Sequence, residues 1–233
     1  TGEEWEEPAG PALATDSQAQ EPQDEVIRQE GYKEWKKKFP GMWTPPQAPE
    51  EPYIPPRLIL ATDLHYQSAL AGDGGEAFRL FVERSDGKVQ YLPELLEAFL
   101  DEVIEERPSA LVLSGDITMN GERLNHEELA ARLKRVQDAG IQVLVIPGNH
   151  DINNHDASVY YGARKEPAPY IDGPEFHEIY HEYGYDQALS RDVSSLSYVY
   201  ALDDRNWLLM LASCQYEPDN KVEGRLKDST MAW

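Results

Sequence analysis

The sequence has little cysteine, little positive charge and no long apolar run. Its 233 residues include one cysteine, Cys214, so an intrachain disulfide is excluded, and we interpret that residue as a small buried side chain. Lysine and arginine total 21 against 43 aspartate and glutamate, which gives a formal net charge of −22. Such a surface repels polyanions, so we expect no extended nucleic acid or acidic membrane surface as a partner. No segment approaches the ~18 apolar residues of a spanning helix, so no transmembrane segment is predicted.

The first 56 residues differ in composition from the rest of the chain. They are rich in Glu, Pro, Ala and Gln, and seven prolines between positions 40 and 56 prevent a long regular element there. We interpret residues 1–56 as an acidic, proline-rich arm or tether and residues 57–233 as one domain. The arm resembles the tethers that follow a removed export signal. This favours an extracytoplasmic bacterial protein that is exported or lipid-anchored.

Three short apolar runs each stop on carboxylate, amide or imidazole side chains. The polar residues that follow these runs, which begin at positions 58, 110 and 143, are Asp63, His65, Asp116, Asn149 and His150. Buried parallel strands have this apolar composition, and their C-terminal ends meet at one edge of the sheet. Carboxylate, amide oxygen and imidazole are ligands for hard and borderline divalent ions. The pattern therefore predicts a metal site at that edge.

Helical patterns between the runs predict an α/β order. Apolar residues recur at helical spacing from Leu92 to Ile104, and Pro93 suits the first turn of that helix. Asn125 followed by Glu128 resembles a capping box at the start of a second helix. Strand, helix, strand, helix, strand predicts a parallel sheet with right-handed crossovers.

The chain after residue 151 shows weaker patterns. Residues 152–173 look like an irregular rim, and residues 174–183 look like a short helix. Two apolar segments, 196–201 and 207–212, flank a polar turn and predict an antiparallel pair. Residues 226–233 look like the opening of another helix.

The three polar blocks resemble the calcineurin-like metallophosphoesterase superfamily. The resemblance rests on Asp63-x-His65, Gly115-Asp116 and Gly148-Asn-His-Asp151, in this order and each after an apolar strand. The residues around the blocks are most similar to those of the bacterial branch that resembles cyclic-nucleotide phosphodiesterases. The resemblance covers residues 56–233 and implies an α/β fold in which a β-sandwich is flanked by helices.

The resemblance also implies a site and a reaction. It implies two metal ions, of Mn, Fe or Zn, and hydrolysis of a small phosphate ester by an activated hydroxide. Position by position, Asp63, His65 and Asp116 would hold the first ion, and Asp116 with Asn149 the second. His150 would be the catalytic residue at the leaving oxygen. The implied substrates are phosphodiesters, cyclic nucleotides included.

The chain departs from the family pattern at two points. Many members carry an acidic residue three positions after the bridging aspartate; this chain has Met119 there, so Asn120 and Asp151 are the candidates to orient His150. The family also completes its site with a later histidine and a Gly-His-x-His block, and neither lies between residues 151 and 233. We therefore expect a domain truncated on its C-terminal side. Alone it would bind two metals weakly and turn over little, whereas a full-length parent would be active.

Several polar residues near the blocks allow two interpretations. His126, near a helix start, is predicted to be exposed or to support a ligand rather than to bind metal. Asn153 and Asp73 either shape the substrate rim or serve ordinary loop structure. Arg164 and Lys165, on the predicted rim, are candidate phosphate contacts.

Three alternatives compete with the hydrolase hypothesis. Taken singly, the aspartates could cap helices and Asn149 could be a turn residue. His177-Glu178-Ile-Tyr-His181 matches the H-E-x-x-H pattern of zinc peptidases, but the third ligand position holds Gln187 and the segment has an ordinary apolar helix face. The last alternative is a phosphoesterase-like fold that has lost its metals and serves as a binding scaffold. Metal content distinguishes it from the hydrolase.

Overall fold

A computed structural model describes residues 53–85, 87–217 and 220–233, together with Lys33 and Lys37. The predicted arm, residues 1–56, lies almost wholly outside the described residues, and its interpretation stays a prediction. Within the described part of the chain, no helix is both long enough and apolar enough to cross a membrane.

A three-stranded parallel sheet lies at the centre of residues 53–233. Its strands are β1 (Leu58–Ala61), β2 (Ala110–Leu113) and β3 (Gln142–Val145), in the spatial order β1-β2-β3. Ala110 pairs with both Leu58 and Gln142, so the three strands start in register. All of β2 is buried, whereas β1 exposes every second residue, as expected for a central and an edge strand. The predicted strands and their parallel pairing are confirmed.

Two helices connect these strands, and both were expected from their apolar spacing. They are α2 (Leu92–Glu106) and α3 (Arg123–Asp138), which follow α1 (Glu76–Arg84) along the chain. Each of α2 and α3 buries one apolar stripe, and the members of the two stripes are Leu96, Leu100, Val103, Leu129, Leu133 and Val136. Proline lies in the first turn of α2, where its missing N–H costs nothing.

The predicted capping box at Asn125 is wrong. Helix α3 begins at Arg123 with Glu122 at the N-cap, so Asn125 lies inside the first turn. Its buried side chain accepts a hydrogen bond from Ser68 N at 2.8 Å and donates one to Glu122 Oε2 at 2.7 Å. Asn125 therefore ties the long connection after β1 to helix α3.

Two regions are more regular than the sequence predicts. Helix α1 lies in the connection after β1, and the expected irregular rim contains the antiparallel hairpin of β4 (Ser158–Tyr161) and β5 (Arg164–Pro167). The rings of Phe78 and Phe81 in α1 lie against Tyr160 of β4. Each region is stabilised by contact with the other, which a local sequence pattern does not reveal.

The remaining elements form a second sheet and its surroundings. In chain order they are α4 (Gly173–Tyr180), β6 (Ser190–Arg191), β7 (Tyr198–Ala201), β8 (Trp207–Met210), β9 (Cys214–Gln215), β10 (Lys221–Gly224) and α5 (Asp228–Ala232). Strands β6, β7 and β8 are antiparallel, which confirms the predicted pair, and β9 and β10 form a hairpin. Helix α4 ends at Tyr180, before the predicted end, and an irregular turn continues to Tyr185.

The two sheets share one hydrophobic core. Buried side chains of β2, β3, β7 and the helices belong to a single cluster. Tyr198 of β7 is fully buried, and its hydroxyl donates a hydrogen bond to the carbonyl of Val145 at the end of β3, at 3.1 Å. The predicted α/β fold class, with helices beside two sheets, is confirmed.

The central position of β2 makes a stability prediction. We expect Leu111→Ala, at a fully buried site, to lower the free energy of unfolding by about 2 to 5 kcal/mol through lost burial and the cavity left behind. The matched control is Leu60→Ala on the edge strand, where the side chain is 68% exposed and the expected loss is below about 1 kcal/mol. Urea denaturation followed by circular dichroism measures both. Equal losses would contradict the assignment of β2 as the central strand.

Candidate metal centre

The polar loops stay paired after strands β1 and β2 have ended. The backbone N–H of Asp63 donates to the carbonyl of Gly115 at 3.1 Å, and that of His65 donates to the carbonyl of Asp116 at 3.0 Å. The loop after β1 is thereby held alongside the loop after β2. This pairing brings side chains from two separate sequence blocks to one edge of the sheet.

Three side chains of these loops come together. Asp63, His65 and Asp116 each offer one ligand atom, and these atoms lie within 4.8 Å of one another. Within the described ranges, no other set of three or more His, Cys, Asp or Glu side chains is close enough to share an ion. Two carboxylates and an imidazole suit a borderline ion such as Mn, Fe or Zn.

The same three residues carry an unusual backbone conformation. Their φ angles are 56° for Asp63, 44° for His65 and 49° for Asp116, all in the left-handed region. Residues other than glycine are held there at a cost of order 1 to 3 kcal/mol each, least for aspartate, and such residues cluster at functional sites. The two loops therefore hold these three side chains in place with a strained backbone.

His65 supplies a further sign that a cation fits this site. Its Nδ1 is buried and has no hydrogen-bond partner within the described part of the chain, while its Nε2 lies 3.6 Å from Asp63 Oδ1. A buried polar atom without a partner is costly, and carboxylates held close together repel one another. A bound cation relieves the repulsion between the carboxylates and can take up an imidazole nitrogen of His65, so the residues present fit a metal ion.

Gly148 makes room for the Asp116 carboxylate. A side-chain carbon added at Gly148 would overlap both the carboxylate and the backbone nitrogen of Asp116. The next loop residues also hold that carboxylate, because the backbone N–H of His150 donates to Asp116 Oδ1 at 2.8 Å. The loop that carries the third polar block therefore packs directly against Asp116 of the second block.

Asn149 lies with Asp116 in the lining of a polar pocket of about 250 Å³. Asp116 consequently borders both this pocket and the three-residue group, which is the position that a bridging ligand needs. The carbonyl of Asn149 accepts a hydrogen bond from Asn220, which fixes the turn. Cys214 also lines the pocket, and burial raises the pKa of its thiol to about 12, so it is not a reactive thiolate.

His150 is oriented by the loop after β2. Its ring meets that of His65 edge-on, with centroids 4.7 Å apart. Its Nδ1 lies 2.6 Å from the carbonyl oxygen of Met119 and 3.2 Å from Asn120 Oδ1. Both partners are acceptors, so Nδ1 carries the hydrogen and the ring is held through this nitrogen. A backbone carbonyl and Asn120 stand where many family members use an acidic side chain.

Asp151 does not orient His150, but it cross-links two loops. Its buried carboxylate accepts hydrogen bonds from Gly148 N at 2.8 Å, Thr118 N at 2.9 Å, Thr118 Oγ1 at 2.7 Å and Ile117 N at 3.2 Å. Burial raises the pKa of Asp151 to about 6, against the opposing effect of these donors. The carboxylate ties the loop after β3 to the loop after β2.

His126 supports that cross-link from below and is not exposed. Its Nε2 lies 2.9 Å from the carbonyl oxygen of Asp151 and 3.2 Å from Thr118 Oγ1, and its Nδ1 lies 3.0 Å from the hydroxyl of Tyr180. Burial lowers the pKa of His126 to about 3, so the ring stays neutral. Of the two predicted roles, a supporting one agrees with these contacts and an exposed one does not, because α4 covers the start of α3 with Phe176 and Tyr180.

The other candidate rim residues serve loop structure in this arrangement. Asn153 has a left-handed backbone, with φ of 50°, and its side chain donates to the carbonyl of Tyr216 at 2.9 Å. Asp73 accepts hydrogen bonds from Gly75 N and Gly162 N, at 2.8 and 2.9 Å. These contacts anchor the loops around the site.

The H-E-x-x-H segment lacks the geometry of a zinc site. Helix α4 ends before His181, whose Nδ1 pairs with Asp186 Oδ2 at 2.6 Å. The ring of His177 packs against Tyr185, with centroids 5.2 Å apart. His177, Glu178 and His181 do not form a metal-binding group, so the peptidase hypothesis finds no support in the described residues.

The sequence did not reveal the residues that hold the site through backbone groups or from positions far along the chain. Thr118 bonds Asp151 through both its backbone and its side chain, and Met119 holds His150 through its carbonyl oxygen. Neither role leaves a signal in residue type, because any residue has a carbonyl and threonine is common in loops. Tyr180 was recognised only as part of an apolar helix face.

Two comparisons with known proteins bear on this geometry. Residues 56–217 match the family model described as calcineurin-like phosphoesterase. The chain is also similar to "Uncharacterized metallophosphoesterase YkuE" of Bacillus subtilis (strain 168), with 29% identity over 110 residues. That match covers 46% of this chain and 38% of the relative, so the chain corresponds to well under two thirds of that protein's length.

The three-residue group predicts where a metal binds. We expect His65→Ala to weaken Mn²⁺ binding by at least about tenfold, because it removes one of three ligands. His181→Ala, which changes a histidine of the peptidase-like segment, is the matched control and should leave the affinity unchanged. Isothermal titration of the metal-stripped protein measures both. Loss of binding in the His181 variant, with binding kept in the His65 variant, would reverse the assignment.

The buried histidine predicts a stability effect. We expect His126→Ala to lower the free energy of unfolding by about 2 to 4 kcal/mol, because it leaves the Asp151 carbonyl without its partner and the Tyr180 hydroxyl with only its longer hydrogen bond to the backbone carbonyl of residue 126, at 3.4 Å. His155→Ala, at an exposed histidine, should change it by less than about 0.5 kcal/mol. Chemical denaturation at pH 7 compares the two. A negligible loss at His126 would show that the network does not hold the loops together.

Proposed function

The chain is a member of the calcineurin-like phosphoesterase family, and from that premise we propose that it serves in metal-dependent hydrolysis of small phosphate esters. The observation that carries the proposal is the convergence of Asp63, His65 and Asp116 within 4.8 Å, with His150 against His65. We propose phosphodiesters, cyclic nucleotides included, as the substrates. The net charge of −22 supports a small phosphate over extended nucleic acid.

We propose that two metal ions are held, the first by Asp63, His65 and Asp116 and the second by Asp116 and Asn149. When bound, such ions neutralise phosphoryl charge and lower the pKa of a water molecule. The place of Asp116 between the three-residue group and the polar pocket supports the second ion. The oxygen and imidazole donors suit Mn, Fe or Zn.

The protein's own contribution at the leaving oxygen is His150. With Nδ1 fixed as a donor to Met119, the ring can donate to a substrate only from Nε2, and only as the imidazolium. A proton given there neutralises the leaving alkoxide, an effect worth ~10²- to 10⁴-fold for a general acid. Asp151, Thr118 and His126 act indirectly, because they hold the two loops that carry Asp116 and His150.

The metal-free scaffold is less well supported. A site without metal has no physical reason to keep three strained residues with two carboxylates beside one imidazole. No contact among the described residues favours a scaffold over a metal site.

The proposed role of His150 predicts that its substitution lowers the rate of hydrolysis without weakening metal binding. We expect His150→Ala to lower kcat for bis-p-nitrophenyl phosphate, assayed with Mn²⁺, by ~10²- to 10⁴-fold while Mn²⁺ affinity is kept. The assay uses this chain, with His155→Ala as the control. Absence of Mn²⁺-dependent hydrolysis from the unmodified chain would refute the proposed function. Full activity of the His150 variant would refute its role.

A further inference from the structure

A second pocket, of about 470 Å³, lies between helix α1 and the β4–β5 hairpin. Its lining includes Phe81 of α1, Tyr160 of β4 and Asn120 of the loop after β2. Asn120 is also the residue whose Oδ1 lies 3.2 Å from His150 Nδ1. Asn120 therefore links the pocket to the loop that holds His150, the imidazole that acts at the leaving oxygen in the proposed function.

One wall of the pocket is aromatic and fixed. The rings of Phe81 and Tyr160 are stacked, with centroids 4.4 Å apart and planes 9° from parallel. Phe78 packs against both rings from the side. Tyr160 is buried, whereas Phe81 is half-buried and retains surface toward solvent. A planar ring of a ligand can stack on such a prepared surface with little loss of side-chain freedom.

The pocket also carries a local excess of positive charge. Arg84 and Lys165 are in its lining, with Asp156 as the one carboxylate among its lining residues. Neither cation forms an ion pair with a described carboxylate, whereas the neighbouring Arg164 pairs with Glu166 at 3.1 Å. Arg84 lies in the last turn of α1, where a cation is favoured in any case. Lys165 has no such structural reason.

The net charge of the pocket lining is positive, whereas that of the whole protein is negative. With a net charge of −22, the surface in general repels anions. A pocket with two cations and one carboxylate therefore favours an anionic ligand over a neutral ligand of the same size. Its aromatic wall distinguishes a ring from an aliphatic chain.

We propose that this pocket binds the leaving group of the substrate and selects one that combines an aromatic ring with a second negative charge. The inference rests on the proposed function, because it takes His150 to act at the leaving oxygen. In the reaction, water supplies the oxygen of the new P–O bond, the P–O bond to the leaving group breaks, and the leaving oxygen takes up a proton. The product released into the pocket is an aryl-bearing alcohol that keeps its anionic group.

The test is binding of leaving-group analogues to metal-free protein, so that no metal attracts the anion. The probes are 3-(hydroxymethyl)benzoate, which has ring and charge, benzyl alcohol, which has the ring, and 4-hydroxybutyrate, which has the charge. We expect 3-(hydroxymethyl)benzoate to bind about fivefold or more tightly than either of the others in NMR titrations at pH 7. Equal affinity for the three probes would overturn the inference.

Matched variants identify the cations responsible. Lys165→Ala and Arg84→Ala should each weaken 3-(hydroxymethyl)benzoate toward the affinity of benzyl alcohol. Arg164→Ala removes an adjacent cation that is already paired and should leave the preference intact. A preference that survives the first two variants, or that is lost equally in the third, would overturn the assignment of the anion site to Lys165 and Arg84.

Hydrolysis assays keep the two claims apart. If bis-p-nitrophenyl phosphate is hydrolysed but the binding preference is absent, the inference fails and the proposed function stands. If the preference is present but no phosphate ester is hydrolysed, the proposed function fails, and the leaving-group assignment fails with it. If both hold, a diester with the carboxylate on its leaving group should show a KM about fivefold lower than its isomer with the carboxylate on the retained group. Lys165→Ala should remove that difference, and equal KM values in the unmodified chain would place the anion elsewhere.

Discussion

The parallel pairing of β1 with β2, continued beyond the ends of both strands, is the constraint on which the rest of the site depends. It fixes the loop of Asp63 and His65 against the loop of Asp116 through hydrogen bonds between backbone groups. Two carboxylates held close together repel one another, and a left-handed backbone is uncommon for any residue except glycine, although aspartate and histidine tolerate it better than most. The buried strand β2 therefore holds in place an arrangement that is unfavourable without a cation.

A second layer of polar contacts maintains the spacing of the third loop. Burying the Asp151 carboxylate is costly, and its partners offset the cost with three backbone N–H groups and one hydroxyl. His126 completes the layer as a neutral ring beneath Asp151 and Thr118. The result is a rigid base under the candidate metal ligands and His150. This rigidity matters because catalytic groups must be held close to productive geometry before the substrate arrives.

The sequence predicted the parts of the fold whose signal is local. Apolar runs predicted β2 and β3, and the polar residues that end the runs predicted a site at the sheet edge, because strand direction alone brings strand ends together. Helix α1 and the β4–β5 hairpin escaped prediction because each depends on contact with the other. The burial of His126 escaped it for the same kind of reason, since Tyr180 lies 54 positions away along the chain. Asn125 was misjudged because its partners, Ser68 and Glu122, become visible only once the connection after β1 has been placed.

The most direct test of the account is the location of bound manganese in crystals grown with Mn²⁺, found by anomalous diffraction on either side of the manganese absorption edge. We expect a peak within ~2.0 to 2.6 Å of the ligand atoms of Asp63, His65 and Asp116, and a second peak that shares Asp116 with Asn149. A peak beside His177 and His181, or a folded protein with no peak at Asp116 under saturating Mn²⁺, would contradict it.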